Sequence, residues 1–448
     1  MNNKLIKFIG ISGSRVLSAT TICYYRVPGM PVAKKWFGLY SLCTFHNDFI
    51  AMKKILLFII ISGLFMNCGI RRPDARNQIT SRWIEHNLAA SASQYHLLQA
   101  NLPAGEMPRS LFENGKLRTC TSENWVSGFY PGTLVYLYEA TKDTSLWNEA
   151  VRKTELLAKE QFNTGTHDLG FMMNCSYGNL YRITNNAQYK QVLINSARSL
   201  ATRFNPAVGC IRSWGKSDDT KEFRVIIDNM MNLELLFRAT ELTGDSSFYQ
   251  IAVTHANTTL KNHFRPDYSS FHVVNYNPQN GSVIYKRTAQ GASDESAWAR
   301  GQSWGLYGFT VMYRFTHNLK YLEQAQHIAY FLISHPNLPS DKIPYWDYNA
   351  PGIPNTFRDA SAGAVLASAL IELAGYSNRQ MASNYLDVAR TILKNLSNDF
   401  YKAAIGTNQG FILKHSVGSL PGKSDVDVPL NYADYYYIEA LSRLKNLH

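Results

Sequence analysis

Asp168, Asp228, Arg300 and Asp359 stand at matching offsets from a phrase that recurs along the chain, and two indoles share those offsets. The phrase runs Leu137-Tyr-Glu-Ala-Thr141, Leu180-Tyr-Arg-Ile-Thr184, Leu236-Phe-Arg-Ala-Thr240 and Met312-Tyr-Arg-Phe-Thr316, with weaker echoes ending near Gly375 and Leu441. Trp125, Asp168, Arg300 and Asp359 lie sixteen residues before the end of a copy, and Asp228 and Trp304 lie twelve before. The two offsets differ by four, close to one helical turn, so both sets fall on one face near a helix start. Carboxylates can move protons, a guanidinium can grip a carboxylate, and indoles can stack on sugar rings. Gathered in one place, these groups would suit a sugar acid.

The company of each acid sharpens that reading. Asp228 sits in Val225-Ile-Ile-Asp228-Asn-Met-Met-Asn232, an acid inside an apolar start. Burial disfavours the charged carboxylate, which is how a general acid stays protonated near neutrality. Asp168 follows His167 and precedes Leu169-Gly170-Phe171, where Gly170 permits close backbone approach. An Asp at a helix start can equally be a cap, and Asp359 could cap its helix or pair with Arg358. His167 has no partner at metal-ligand spacing, so no metal centre is expected. Thr288 to Trp304, Tyr345-Trp-Asp347 and His415 to Lys423 carry more hydrogen-bonding groups than a core needs, although Trp298 and Trp346 also read as core.

These residues need a frame to bring them together. Each of the first five copies is followed by a polar break and a second amphipathic stretch, with Asp143 and Asp245 where helix N-caps are wanted. A helix–turn–helix unit cannot bury its apolar face alone, so successive copies must stack. Six irregularly spaced copies suggest an all-α chain closed into a ring of helical hairpins, with the helix starts converging at one end of its cavity.

Composition agrees with a large enzyme-sized core. The chain has 448 residues, of which 45% are hydrophobic, and 27 Tyr, 22 Phe and 8 Trp are available to line a cleft. The net charge of +12 is concentrated at the front: residues 1–51 contribute +5 and Lys53 and Lys54 add +2. The remainder has no polybasic run, so nucleic-acid binding is a poor reading. Met52-Lys-Lys followed by Ile55 to Met66 looks like a signal peptide over 52–67, with Cys68 as a lipoprotein-type first mature residue. Residues 1–51 then read as an upstream extension with no fold assigned, and 80–448 as the folded body. Export is expected, to the periplasm or the outer membrane of a Gram-negative bacterium. Cys120, Cys175 and Cys210 are odd in number and lack metal spacing, so neither a disulfide framework nor zinc is indicated.

At these residues the sequence resembles glycoside hydrolase family 88, the unsaturated glucuronyl hydrolases. The matching stretches are His167-Asp-Leu-Gly-Phe171, Ile226-Ile-Asp-Asn-Met-Met-Asn232, Ser296-Ala-Trp-Ala-Arg-Gly-Gln-Ser-Trp304, Arg358-Asp-Ala-Ser-Ala362 and Val426-Asp-Val-Pro-Leu-Asn-Tyr-Ala-Asp-Tyr435. The resemblance implies a six-hairpin (α/α) barrel and an exo-acting enzyme without cofactor or metal. Its substrates would be oligosaccharides bearing a 4,5-unsaturated uronic acid at the non-reducing end, as lyases leave them. It implies that Asp228 protonates C4 of the vinyl ether and then helps water add at C5. Asp168 matches the second essential acid. Trp125, His167, Trp214, His272, Gln290, Arg300 and Trp304 would line the sugar site, and Ser416, Ser419 and Lys423 would face the second sugar and accept a sulfate. Ala289 and Ala292 depart from some members, which have His and an aromatic there. Two alternatives stand beside this reading: the related hydrolases of unsaturated rhamnogalacturonan fragments, and a non-catalytic sugar-binding lipoprotein of the same fold.

Overall fold

The structure, a computed structural model, describes residues 79–216 and 218–447; the leader and Cys68 lie outside them. Twelve α-helices carry the frame: α1 (Ser81–Asn101), α2 (Phe129–Thr141), α3 (Thr144–Glu155), α4 (Asn179–Thr184), α5 (Ala187–Ala201), α6 (Leu233–Thr243), α7 (Ser246–Asn262), α8 (Ala299–Thr316), α9 (Leu319–Ser334), α10 (Ala360–Ala374), α11 (Arg379–Leu396) and α12 (Asn431–Lys445). No helix among the described residues is long and apolar enough to cross a membrane.

The recurring Thr proves to be a turn device. Thr141 Oγ donates to the Leu137 carbonyl at 2.7 Å and accepts from the N–H of Asp143 at 3.3 Å. Asp143 in turn caps α3 by accepting from the Ser145 N–H at 2.9 Å. Between them Lys142 takes the left-handed conformation, φ 62°, which ends α2. Thr184-Asn185-Asn186 and Thr316-His317-Asn318 repeat the arrangement. In the third copy the Thr that does this is Thr243, not Thr240: it donates to Ala239 O, and Gly244 and Asp245 complete the turn. Measured from Thr243, Asp228 falls fifteen residues back, beside the sixteen of Asp168, so the twelve-residue offset assigned to it from sequence is corrected.

The helices that precede these turns pack in a closed circuit. α2 packs on the π-helix Gly170–Gly178 that leads into α4, and this on α6, then α8, α10 and α12, which returns to α2. α8 is buried without a break from Ala299 to Met312 and α10 from Ala360 to Ile371, as helices enclosed on all sides must be. The partner helices α3, α5, α7, α9 and α11 show one apolar face; on α11 it is Tyr385, Val388, Ala389, Ile392, Leu393 and Leu396. α12 has no helix after it in the described residues. Its place is filled by α1 from the other end of the body, which packs on both α2 and α12.

The all-α expectation holds for this frame and fails in its connections. Nine short strands form four small antiparallel sheets: β1 (Met107–Leu111) with β2 (Leu117–Cys120), β3 (Phe204–Asn205) with β4 (Cys210–Ile211), β5 (Phe223–Ile226) with β6 (Val273–Tyr276) and β7 (Val283–Arg287), and β8 (Ser416–Ser419) with β9 (Ser424–Val428). Most of them feed the starts of circuit helices, the end where the acids stand. Two helix starts are also irregular. Asp168 precedes the π-helix, and Asp228 lies in a 3₁₀ stretch, Ile227–Asn232, ahead of α6.

Candidate active site

Asp228 is placed by a sheet edge. β5 pairs with β6, matching Ile226 to Val273, and the Ile227 N–H donates to His272 O at 3.0 Å. His272 is thereby laid beside the carboxyl, its Nε2 3.6 Å from Asp228 Oδ2, too far for a hydrogen bond. His272 Nδ1 accepts from the Ala289 N–H at 3.1 Å, so the ring proton belongs on Nε2, facing the acid. Burial holds the His272 imidazole down to about 3, with Arg300 adding to the effect, so it is neutral at working pH. Asp228 Oδ2 has no hydrogen-bond partner among the described residues, although the side chain is 13% exposed. Burial lifts its pKa to about 7; Arg300 opposes and Asp168 pushes the same way.

Asp168 mirrors this arrangement one element earlier. Its carbonyl starts the π-helix by accepting from Met172 N–H at 2.9 Å, and its Oδ2 accepts from Thr166 Oγ at 3.3 Å. His167, buried and held neutral by that burial, has Nε2 3.5 Å from Asp168 Oδ1. The two elements meet through Gly170, where a Cβ would lie 2.4 Å from Asn232 Cα.

The walls divide into open and buried parts. Trp125 is half-buried, its ring 5.0 Å from Tyr432 and 5.6 Å from Phe171. Trp214 is half-buried as well, edge-on to His272 at 5.7 Å, and Trp298 lies against the same imidazole at 4.5 Å. Trp304 is fully buried behind Phe171 at 5.1 Å, so it supports the wall and presents no face to a sugar. Arg300 also differs from its expected role. Its Nη1 donates to Asp359 at 3.0 Å and Val417 O at 2.5 Å, and its Nη2 to Gly418 O at 2.6 Å, so both ends of the fork are taken by the protein. Its charge still reaches Asp228 through the field. Asp359 caps α10 by accepting from the Ser361 N–H at 3.0 Å, so it both caps and pairs, though with Arg300; Arg358 instead pairs with Asp341.

Gln290 is half-buried and donates to Gly418 O at 2.9 Å, which ties the Thr288–Trp304 segment to β8. Ser416, Ser419 and Lys423 run along the β8–β9 hairpin without converging. Ser416 is buried with an unpartnered hydroxyl, Ser419 Oγ accepts from the Gly422 N–H at 3.2 Å, and Lys423 is exposed at the tip. Sequence reasoning left Tyr432, whose ring lies between Trp125 and the Arg300 guanidinium, without a role. A buried Tyr in a tyrosine-rich helix start carries no signal of its own.

Among the described residues Asp434 is the other carboxyl raised to about 7, also by burial. It is fully enclosed and accepts from Ile412 N–H at 2.9 Å and Leu413 N–H at 2.8 Å, so it anchors a loop and reaches no substrate. Asp228 combines a raised pKa with an open face.

The model of Glycosyl Hydrolase Family 88 matches residues 106–443, three quarters of the chain and all of this site. The chain belongs to that family. Family 88 relatives extend the match. The unsaturated glucuronyl hydrolase of Formosa agariphila is 43% identical over 401 residues, covering 88% of this chain and 99% of its own. The crystal structure of an unsaturated glucuronyl hydrolase specific for heparin superimposes with a TM-score of 0.79 at 47% identity, covering 82% of this chain and 98% of that one. A UGL structure of an Asp-to-Asn variant with dGlcA-Glc-Rha-Glc gives 0.74 at 29% identity, covering 80% and 94%. The protein is a glycoside hydrolase with the helix-rich build of these relatives.

A cavity of about 460 Å³ in this family 88 chain runs from Gly170, Phe171 and Met231, behind the acids, toward the other ends of the circuit helices. Arg314 in its wall is fourteen residues past Arg300 on α8, about 21 Å along the helix. Its charges satisfy one another: Arg314 pairs with Glu372 at 2.7 Å and Glu234 at 2.8 Å, and Arg443 with Glu372 at 2.9 Å. That network welds neighbouring helices together and offers no group for the reaction.

Proposed function

We propose that this hydrolase removes 4,5-unsaturated glucuronic acid from the non-reducing end of lyase-generated, glycosaminoglycan-type oligosaccharides. The observation that carries the reading is Asp228: a carboxyl with a pKa near 7, one oxygen unpartnered, and a neutral His272 N–H aimed toward it. A carboxyl of that pKa is protonated for half of the molecules at neutrality and can act as acid and then as base. Asp228 delivers its proton to C4 of the vinyl ether, and the ring oxygen supports the positive charge left at C5. Water then adds at C5 and returns a proton to the Asp228 carboxylate. The hemiketal opens to a C5 ketone, and the C1 hemiacetal so exposed releases the second sugar, with one water consumed overall. The glycosidic bond is never attacked directly, unlike the usual two-carboxylate scheme. Asp168, with His167 behind it, orients the sugar ring, while Trp125 and Trp214 flank the entrance.

In this reading the closed circuit of paired helices is a six-hairpin (α/α) barrel, and its helix starts form the catalytic end. We also assign export to a signal peptide over 52–67, with a lipid at Cys68 and residues 1–51 as an upstream extension. Incubation with unsaturated glycosaminoglycan disaccharides, followed by loss of the ultraviolet absorbance of the double bond, tests the substrate. Turnover of unsaturated rhamnogalacturonan fragments alone would move the protein to the pectin-type reading, and binding without turnover of either to the non-catalytic one.

A further inference from the structure

The β1–β2 and β8–β9 hairpins pack together beside the catalytic end and leave a groove of about 660 Å³ between their tips. Phe112 stands in its wall 51% exposed, unusual for so large an apolar side chain beside an active site, with the Arg118 guanidinium 5.7 Å from its ring centre. Lys423 lines the same groove and Lys116 closes the β1–β2 turn; neither ammonium has an ion-pair or hydrogen-bond partner among the described residues. Asp425 is neutralised by Arg109 and Arg118, each at 2.8 Å, and is held by Ser110 Oγ at 2.6 Å, which leaves the groove a positive excess over Glu113. That clamp also fixes an unusual backbone: Lys423, Asp425 and Asp427 all have positive φ, between 48° and 55°. Non-glycine residues adopt such angles at a cost and persist in them where the surroundings enforce the shape.

The groove adjoins the catalytic wall where β8 ends. Gly418 O, which receives Arg300 and Gln290, is two residues from Leu420, the turn residue after β8 at the groove edge, at most about 7 Å away along the chain. We propose that this groove is an outer subsite for the third sugar residue of an anionic oligosaccharide, counted from the unsaturated end. Phe112 offers its ring to the apolar face of the pyranose, Arg118 and Lys423 face its sulfate or carboxylate, and Lys116 on the adjoining turn adds to the positive field. The inference rests on the substrate reading above, and it makes the enzyme prefer tetrasaccharides to disaccharides.

Kinetics on an unsaturated disaccharide and the matching tetrasaccharide decide it. Phe112→Ala is expected to lower kcat/KM for the tetrasaccharide about fivefold through KM and to leave the disaccharide within about twofold. Phe112→Trp is expected to keep the tetrasaccharide rate, and Lys116→Glu to lower it in a manner that salt masks. Equal effects on both substrates, or no effect on either, overturn the outer subsite. A wild-type protein that cleaves neither substrate overturns the substrate reading itself, whereas normal disaccharide turnover without discrimination by Phe112→Ala overturns the subsite alone.

Discussion

Gly170 and Asn232 touch backbone to backbone: a Cβ on Gly170 would sit 2.4 Å from Asn232 Cα, and the next residue, Phe171, donates its N–H to Asn232 Oδ1 at 3.0 Å. This contact locks the π-helix after Asp168 onto the 3₁₀ turn that carries Asp228. The separation of the two acids is therefore set by a missing methyl group.

Gly170→Ala is expected to destabilise the fold by about 1–3 kcal/mol, the usual cost of overpacking a closed core. It is also expected to lower kcat more than a neighbouring core change of equal stability, because the carboxyls move apart. Thermal unfolding together with kcat for Gly170→Ala and a destabilising variant in α11 separates the two effects. Equal kcat in both would show that this contact does not position the acids.

Asp228 costs the folded state something. Its folded pKa, about 7, exceeds the ordinary 3.8, so the stability it contributes is complete below pH 4 and is lost as pH rises through 7. Asp228→Asn is accordingly expected to raise stability at pH 8 by about 1–3 kcal/mol and to leave it unchanged near pH 4. Urea titrations at the two pH values provide the check, and a gain of the same size at both would contradict it.

In the proposed mechanism the same carboxyl sets the rate. Proton delivery needs the acid form, so kcat/KM on an unsaturated disaccharide is expected to fall as pH rises through about 7. A rate that stays level from pH 6 to pH 9 would assign the proton to another group.

His263 tests the fold's response to acid. Its ring is fully buried, neither nitrogen has a partner among the described residues, and burial holds its pKa down to about 3 against an ordinary 6.5. Below pH 6.5 the unfolded chain takes up a proton that the folded one refuses, so stability drains as pH falls toward 3. His263→Phe is expected to recover about 2 kcal/mol of the loss between pH 7 and pH 5. Parallel stability curves for the two proteins would show that this imidazole does not titrate as described.

Much of the frame was legible because its signals are local. Asp143 and Asp245 announce their caps in sequence, and the Thr-containing turns repeat with the same residue classes. The Thr240 anchor misled because Thr243 lies one turn further on, and only the hydrogen bond to Asp245 N–H tells them apart. The strands escaped because they are two to five residues long, too short for an alternating pattern to show, although most pair with the next strand in a local hairpin. Arg300 stands at a helix start, as its spacing predicts, but its bonding was not legible. Its acceptors, the Val417 and Gly418 carbonyls, lie 117 and 118 residues away and carry no side-chain signal. Trp304 reads like Trp125 in sequence, and only packing behind Phe171 separates them.

Turnover by Asp228→Asn tests the central claim most directly. With the double bond followed by its ultraviolet absorbance, the variant is expected to leave the substrate intact while binding it within about tenfold of the wild-type affinity. Loss of absorbance at the wild-type rate would mean that the proton reaches C4 from somewhere else.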